Sequence, residues 1–244
     1  MRGASGASLA EASDQLSAAA TDKATADTLG DELFAVARLL DSEHGLRRAL
    51  TDPARSAEAK TSLIRSLLTG KVSAATLDLV SDLVSNRWSA PRDLADAAEE
   101  LAARAVVISA DRSRKLDDLE DELFRFGRVV AAQPDLRGAL SDPYLPDDRK
   151  RGLIGALLDG KVTPAAEKLI TQAALDPRGR TLENSLEDYA RLAAALAAIY
   201  GHEVHLNIVL DAHVIGGMSI QVGDEFIDAS VVSRLAVLRR KLAG

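Results

Sequence analysis

Three of the four histidines in the chain, His202, His205 and His213, lie close together and raise the question of a zinc site. His202 and His205 are three residues apart near the start of a predicted strand, so their side chains point to opposite faces. The two side chains could therefore not easily bind the same metal ion. We therefore predict no metal site and interpret these residues as solvated or loop histidines.

A second group, Asp224, Glu225 and Asp228, could bind a cation or act as an acid/base pair. Their spacing lacks the oxygen-rich loop of a calcium site, and catalytic carboxylates need a cleft that so short a segment would not form. Asp224 follows Gly223 and is typical of a turn. Asp228 or Ser230 is predicted to cap the last helix.

Two Gly-Lys pairs, Gly70-Lys71 and Gly160-Lys161, match part of a phosphate-binding loop. Valine follows each lysine, where that loop has serine or threonine. We interpret each glycine as a helix C-cap with lysine beside the terminal carbonyls. The sequence thus predicts no cofactor site and no catalytic residues, and the chain is not expected to be an enzyme by itself.

The elements that position these residues are predicted to be mainly helices. Hydrophobic residues make up 47% of the 244 residues but aromatic residues only 3%, so helices should pack through small aliphatic side chains. The net charge of −7 would repel a phosphate backbone, and nucleic acid is not an expected partner. Cysteine is absent, which excludes disulfides and thiolate catalysis.

Membrane association is expected only through partners. The N-terminus lacks the apolar core of a signal peptide, and the longest apolar run, 192–200, falls far short of the roughly 20 residues that span a bilayer. No acidic residue follows Asp228, whereas Arg234, Arg239 and Arg240 do, so the C-terminus is a positive pole. It could bind an acidic partner or complement the C-terminal end of its own helix.

The body of the chain is an internal duplication at an offset of 90 residues. The repeated pairs include Asp31–Phe34 with Asp121–Phe124, Asp52-Pro53 with Asp142-Pro143, and Gly70–Val72 with Gly160–Val162. Because chance similarity between alanine-rich helices would not keep the Asp-Pro breaks and glycines in register, we interpret these as two copies of one helical unit.

Each copy divides into helices by the spacing of its apolar residues. In the second copy one apolar stripe consists of Leu119, Leu123, Phe126 and Val130. That helix should end before Gln133-Pro134, because the residue before proline is disfavoured in a helix. Further helices are predicted before Asp142-Pro143, between Pro146 and Gly160, and after the N-cap Thr163.

The two copies are separated by a break at Trp88–Pro91. Ser89 is a plausible N-cap of the next helix, and Pro91 lies in its first turn. Trp88 is interpreted as a packing anchor in preference to a binding hot spot. The predicted domains are a first helical bundle at 1–88, a second at 89–196 and a small α/β segment at 197–244.

After the helices the pattern changes to alternation with a period of two. Residues 203–210 alternate, as do Met218, Ile220 and Val222, which predicts a short sheet followed by a helix from about Val231. The predicted fold class is therefore mainly α, with two tandem helical bundles and a small α/β segment at the C-terminus.

The C-terminal motif resembles that of the delta subunit of F-type ATP synthase, the family of the oligomycin sensitivity-conferring protein. The residues that carry this resemblance are Tyr200, Gly201, Gly216, Gly217, Gly223, Asp224, Ile227, Asp228 and Ser230. The resemblance covers about 89–244, and the doubled helical part is similar to actinobacterial delta subunits.

The resemblance implies a non-catalytic stator, or peripheral-stalk, subunit on the cytoplasmic face of the plasma membrane. Such a subunit joins the catalytic α/β head to the membrane-anchored b stalk during proton-driven ATP synthesis. The implied partners are the N-terminal segments of the α subunits and the C-terminal ends of the b subunits. Roughly two dozen residues of the family pattern are missing before Tyr200, and a sheet reduced in this way needs covering, for example by a partner.

Partner contacts are expected on apolar helix faces, for example at Leu94, Leu101 and Leu169, and on the basic C-terminus. The alternative for the three leucines is that they form the core, where leucine is usually buried. A second function also fits the sequence. The chain could be a free helical-repeat adaptor or regulator that kept the fold without assembling into the synthase.

Overall fold

The computed structural model describes residues 1, 3–200, 219–222 and 225–228. Over these residues the chain is mainly helical, which confirms that part of the predicted fold class. The helices are α1 (Gly3–Ala19), α2 (Lys23–Ser42), α3 (His44–Thr51), α4 (Ala57–Leu68), α5 (Ala74–Ser85), α6 (Pro91–Arg112), α7 (Leu116–Ala132), α8 (Pro134–Ser141), α9 (Asp147–Leu158), α10 (Pro164–Leu175) and α11 (Leu182–Tyr200). No helix among these is both long and apolar enough to cross a membrane.

The helices repeat with the offset found in the sequence. The bounds of α3, α4 and α5 recur 90 residues later as the bounds of α8, α9 and α10. By the same shift α2 corresponds to α7, α6 corresponds to α11, and α1 corresponds to α6. Helix α6 is therefore both the last helix of a first unit, α1–α6, and the first helix of a second unit, α6–α11.

Helix α6 packs in both units. It contacts α2 most extensively, then α1 and α3 in the first unit, and α7, α10 and α11 in the second. The predicted division after residue 88 stays a prediction, but the two units share a helix and are not separated by a linker. Removal of residues 1–88 would expose the face of α6 that α2 covers.

The two end helices differ from α6 at positions that α6 buries. Leu101 of α6 is fully buried. Its counterparts at the same offset are Glu11 in α1, which is exposed, and Arg191 in α11, which is half-buried. Polar residues at the ends of an array and apolar residues inside it are expected when each unit contacts only its neighbours.

A close approach of α2 to α6 at Gly30 accounts for their extensive contact. A Cβ added at Gly30 would lie 3.0 Å from Cγ2 of Val106 and 3.5 Å from the carbonyl oxygen of Ala102. The counterpart of Gly30 in α7 is Glu120. A glutamate at this position does not permit such a short distance between backbones, and α7 packs less extensively on α11.

Two N-caps are held in the same way in both units. The hydroxyls of Ser73 and Thr163 each accept the backbone N–H three residues further on, which confirms the predicted cap at Thr163. The N–H and hydroxyl of Ser73 donate to the Glu32 carboxylate at 2.8 and 2.7 Å. Those of Thr163 donate to Glu122 at the same two distances. The start of the fifth helix of each unit is thereby tied to the second helix.

The start of α6 differs from the prediction. Its N-cap is Ala90, whose N–H donates to the Asp93 carboxylate at 3.2 Å, and Pro91 is the first helical residue. The N–H of Ser89 donates instead to the hydroxyl of Ser5 at 2.8 Å. The prediction that Ser89 is the N-cap is therefore wrong. Its position is fixed by a contact with α1 that the local sequence does not show.

The two Gly-Lys pairs lie at helix ends, as predicted. Gly70 and Gly160 have positive φ angles of 76° and 63°. The N–H groups of Lys71 and Lys161 donate to the carbonyls three residues earlier, at 2.9 and 2.8 Å. Gly155 lies five residues before Gly160, as in a phosphate loop, but it is inside α9. This stretch is a helix with a glycine C-cap.

A β-hairpin is described in the C-terminal segment. Strands β1 (Ser219–Val222) and β2 (Glu225–Asp228) pair antiparallel, with Ser219 opposite Asp228. Asp228 is the last residue of β2 and Ser230 lies outside the described residues, so which of the two caps the last helix stays a prediction. The predicted strand at 203–210 and the closing helix also lie outside them. The wider α/β segment stays a prediction.

Candidate functional site

The loop between α10 and α11 carries a buried arginine that contacts the first unit. Arg178 has a φ of 50°, in the left-handed region, and Gly179 follows with a φ of 80°. The N–H of Arg180 donates to the carbonyl of Pro177 at 2.8 Å and closes the turn. Only 6% of the Arg178 side chain remains exposed. The backbone of the loop thus directs a cation into the protein.

The guanidinium of Arg178 binds groups on two helices. It donates to the Asp96 carboxylate at 2.7 Å and to the Glu99 carboxylate at 2.6 Å, both on α6. It donates twice to Asp41 on α2, once from Nε and once from Nη2 at 3.1 Å. A fifth bond reaches the carbonyl of Ala95 at 3.2 Å. Each N–H group of the guanidinium therefore donates to an acceptor on α2 or α6.

Glu99 is the acceptor at the centre of this arrangement. One carboxylate oxygen accepts from Arg178, and the other accepts from Nη2 of Arg180 and from the hydroxyl of Tyr189 at 2.9 Å. Glu99 is 5% exposed, so its charge depends on these donors. We call Arg178, Arg180, Tyr189, Asp41, Asp96 and Glu99 the Arg178 cluster. The cluster connects α2, α6, the α10–α11 loop and α11.

The pKa shifts follow from burial and pairing. Burial raises the pKa of the Asp41 carboxyl, but hydrogen bonding and charge from Arg178, with the charge of Arg47, outweigh burial and hold this pKa below its ordinary 3.8. Burial also raises the pKa of Asp96, and there the attraction of Arg178 is too weak to reverse the shift. The cluster therefore contains one carboxylate that pairing stabilises strongly and another that burial penalises.

The pKa values of the two donors, the Arg178 guanidinium and the Tyr189 phenol, are both raised above their ordinary values. Burial lowers the pKa of Arg178, but the hydrogen bond to Asp41 and the charge of Glu99 raise it above the ordinary value. Burial, followed by the charge of Glu99, raises the pKa of Tyr189 well above its usual range. Both groups keep their protons at neutral pH and continue to donate. The charged groups of the cluster pair with one another, so the cluster acts as a structural connection between the helices.

Two exposed ion pairs lie beside the Arg178 cluster, between α2 and α10. Lys168 approaches Asp31 at 2.8 Å, and Arg38 approaches Asp176 at 3.5 Å. Phe34 lies between them on α2 and is 3% exposed. Asp31, Phe34, Arg38 and Lys168 border a shallow groove of about 350 Å³. The first unit therefore contacts α10 through two pairs of opposite charge, and Phe34 lines the groove beside them.

The predicted partner-binding leucines are part of the core. Leu94, Leu101 and Leu169 each have 0% of their surface exposed, so a partner cannot reach their side chains in this conformation. The alternative interpretation, that these residues form the core, describes them correctly. The apolar pattern alone does not distinguish the two cases, because a helix stripe that faces the core and one that faces a partner have the same spacing.

The other predicted site residues are mostly not described. Tyr200 ends α11, and Ile227 lies in β2 beside Asp228. The remaining residues lie outside the described part of the chain: Gly201, Gly216, Gly217, Gly223, Asp224, Ser230, Arg234, Arg239 and Arg240. Their roles, and the absence of a histidine metal site, stay predictions. Trp88 is half-buried, packs on the core and donates from Nε1 to the carbonyl of Leu83 at 3.0 Å.

Sequence reasoning missed the Arg178 cluster because the repeat does not contain it. At the same offset the counterpart of Arg178 is Trp88, and the counterpart of Glu99 is Leu9. Two signals were present. Glu99 is an acidic residue one turn before Ala102 and Ala103 of α6, and Arg178 and Arg180 flank a glycine in a short loop after Pro177. A buried acid needs a partner, and these arginines could supply it.

The chain belongs to the ATP synthase delta (OSCP) subunit family. The model of that family matches residues 13–105, 102–196 and 185–242. The first two matches correspond approximately to the two helical units and overlap within α6. The third includes the C-terminal segment. The three matches to the family therefore include both helical units and the C-terminal segment.

Relatives that carry the name ATP synthase subunit delta match along their full length. The chain is 46% identical to the subunit of Thermobifida fusca and 43% identical to that of Streptomyces griseus, with 100% of both chains covered in each comparison. The subunit of Acidothermus cellulolyticus is 39% identical, again over 100% of both chains. The alignment with the Thermobifida protein spans 270 positions, 26 more than the 244 residues of this chain. The predicted place of this shortening, before Tyr200, stays a prediction.

Proposed function

We propose that the chain is the non-catalytic peripheral-stalk subunit of an F-type ATP synthase. It joins the catalytic α/β head to the membrane-anchored b stalk, at the cytoplasmic face of the membrane. The observation that carries this proposal is the full-length match to ATP synthase delta subunits, across both helical units and the C-terminal segment. A free adaptor is disfavoured because the relatives bear the name of a synthase subunit over their whole length.

The packing of the two units supports a mechanical role. A peripheral stalk resists the torque of rotation, so its subunits need to transmit force without bending. Helix α6 has 22 residues, which corresponds to roughly 33 Å of continuous helix, and it belongs to both units. The Arg178 cluster adds buried charged contacts between α2, α6 and the α10–α11 loop. The shared helix and this cluster oppose rotation of one unit against the other.

The partners are the N-terminal segments of the α subunits and the C-terminal ends of the b subunits. The basic C-terminus, with Arg234, Arg239 and Arg240, is a candidate for an acidic partner surface. Helix surfaces of the two units are candidates for the α segments, because amphipathic helices bind in grooves between helices. The leucines of the core are not part of this proposal.

The proposal is tested with the full chain and the other subunits of its host's synthase. The full chain should co-elute with the α/β head and with b on size exclusion, and should restore ATP synthesis to membrane vesicles depleted of it. A variant lacking residues 1–88 is unsuitable, because it would uncover α6. A chain that stays monomeric beside both the head and b would refute the stator proposal and favour the adaptor.

A further inference from the structure

One surface motif of α2 recurs on α7 without the contacts that cover it on α2. The motif consists of an aspartate, a phenylalanine three residues later and an arginine four residues after that. In the first unit these are Asp31, Phe34 and Arg38, which face α10. In the second unit they are Asp121, Phe124 and Arg128. We call the surface formed by Asp121, Phe124, Gly127 and Arg128 the α7 face.

The contact in the first unit defines the chemistry of its occupant. Asp31 pairs with Lys168, and Arg38 pairs with Asp176 at the C-terminal end of α10. Both pairs run in the same order along the two helices, so α10 lies roughly parallel to α2. Phe34 lies between the pairs and is almost fully buried. The charges set direction and register, and the aromatic side chain lines the groove that α10 also borders.

The α7 face is open among the residues that the structure describes. Phe124 is half-buried where Phe34 is buried, and Arg128 is exposed. The side chains of Asp121 and Arg128 form no ion pair within the described part of the chain. A Cβ added at Gly127 would meet no atom within 4 Å of it there. A glycine beside the phenylalanine leaves room for the backbone of a second helix to approach closely.

The α10 helix of a second copy is not available as an occupant. Its matching residues, Lys168 and Asp176, are already paired with α2 of the same chain. The occupant therefore has to be a different helix with similar charges. The position of Asp41 is taken by Ala131 in α7, so the occupant does not need an equivalent of Arg178.

We propose that the α7 face docks an amphipathic helix of another subunit of the same complex. The helix carries a basic residue that meets Asp121 and, about two turns later, an acidic residue that meets Arg128, with a small or apolar residue over Phe124. It lies roughly parallel to α7. The inference rests on the proposed function, because it needs the chain to assemble with other subunits.

The absence of cysteine in the sequence allows a direct test. Gly127→Cys places a single thiol on the α7 face without removing Phe124. Val129→Cys is the matched control, because Val129 is 44% exposed on another side of the same helix. Maleimide labelling of this chain is measured by mass, alone and in the assembled synthase. We expect labelling at position 127 to slow by at least about tenfold on assembly and labelling at 129 to stay unchanged.

A charge reversal then tests the chemistry of the occupant. Asp121→Lys combined with Arg128→Asp, in the Gly127→Cys chain, should remove most of the protection while the chain still assembles. Equal labelling of position 127 in the free and assembled chain would overturn the inference. Protection already present in the free chain would also overturn it, because a segment of this chain or a second copy would then cover the face. If the chain does not assemble at all, the proposed function itself fails.

Discussion

The guanidinium of Arg178 donates to the carboxylate of Glu99 at 2.6 Å, although each side chain is only 6% exposed. These residues are 79 positions apart in the chain. Their contact connects the loop after α10 to the middle of α6, the helix that both units share. Since isolated charges are costly to bury, this pair persists only while the α10–α11 loop stays packed against α6.

Arg178→Met should destabilise the protein strongly. It leaves the half-buried Asp96 without its nearest cation and the buried Glu99 with Arg180 alone, and breaking a buried pair typically costs about 3–5 kcal/mol. Urea unfolding of the full chain measures the effect. Arg65→Met is the control, because Arg65 pairs with Asp78 at the surface and should contribute roughly 0–1 kcal/mol. Equal stability losses in both variants would show that the cluster stabilises the fold no more than a surface ion pair does.

Asp41→Asn should lower stability near neutral pH and have little effect in acid. The folded-state pKa of Asp41 lies below 3.8, so its stabilisation is complete above that value and is lost as the pH falls through the folded pKa. We expect a loss of about 1.5–3 kcal/mol at pH 7, typical of a hydrogen bond to a charged group. Unfolding curves between pH 7 and pH 3 should show the two proteins converging. A constant difference over that range would contradict the assignment.

Gly30→Ala and Gly127→Ala should have opposite effects. Both glycines lie inside helices, where alanine is favoured by roughly 0.5–1 kcal/mol. At Gly30 the new Cβ meets Val106 at 3.0 Å, and overpacking costs about 1–3 kcal/mol, so a net loss is expected. At Gly127 no atom lies within 4 Å of it among the described residues, so a gain is expected. Thermal unfolding checks both, and stabilisation by Gly30→Ala would show that α2 and α6 can separate easily.

Leu101→Ala should destabilise the fold. Leu101 is fully buried in α6, and truncation of buried leucines costs about 2–5 kcal/mol. Leu77→Ala, at a half-buried position on α5, serves as the control and should cost less. Denaturant unfolding of the free chain gives both values. If Leu101→Ala kept full stability and only weakened binding to the synthase, that result would support a partner contact at Leu101.

The positions of most helix ends could be predicted from the sequence. The helix before Gln133-Pro134 ends at Ala132, and Gly160 ends α9 with a positive φ. These signals are local, because proline and glycine restrict or relax the backbone at their own positions. The N-cap of α6 could not be predicted, because Ser89 is engaged by Ser5 from a distant helix.

The sequence by itself determined that the chain is a duplicated, mainly helical protein, and it carried the motif of the delta family. Repetition, apolar spacing and helix ends are encoded within a few residues of each position. Only the tertiary structure decided that α6 serves both units, that Leu94, Leu101 and Leu169 are core, and that Glu99 pairs with Arg178. The physical reason is that burial and charge pairing depend on which distant residues meet. In this chain the Arg178–Glu99 pair occurs where the two copies of the repeat differ.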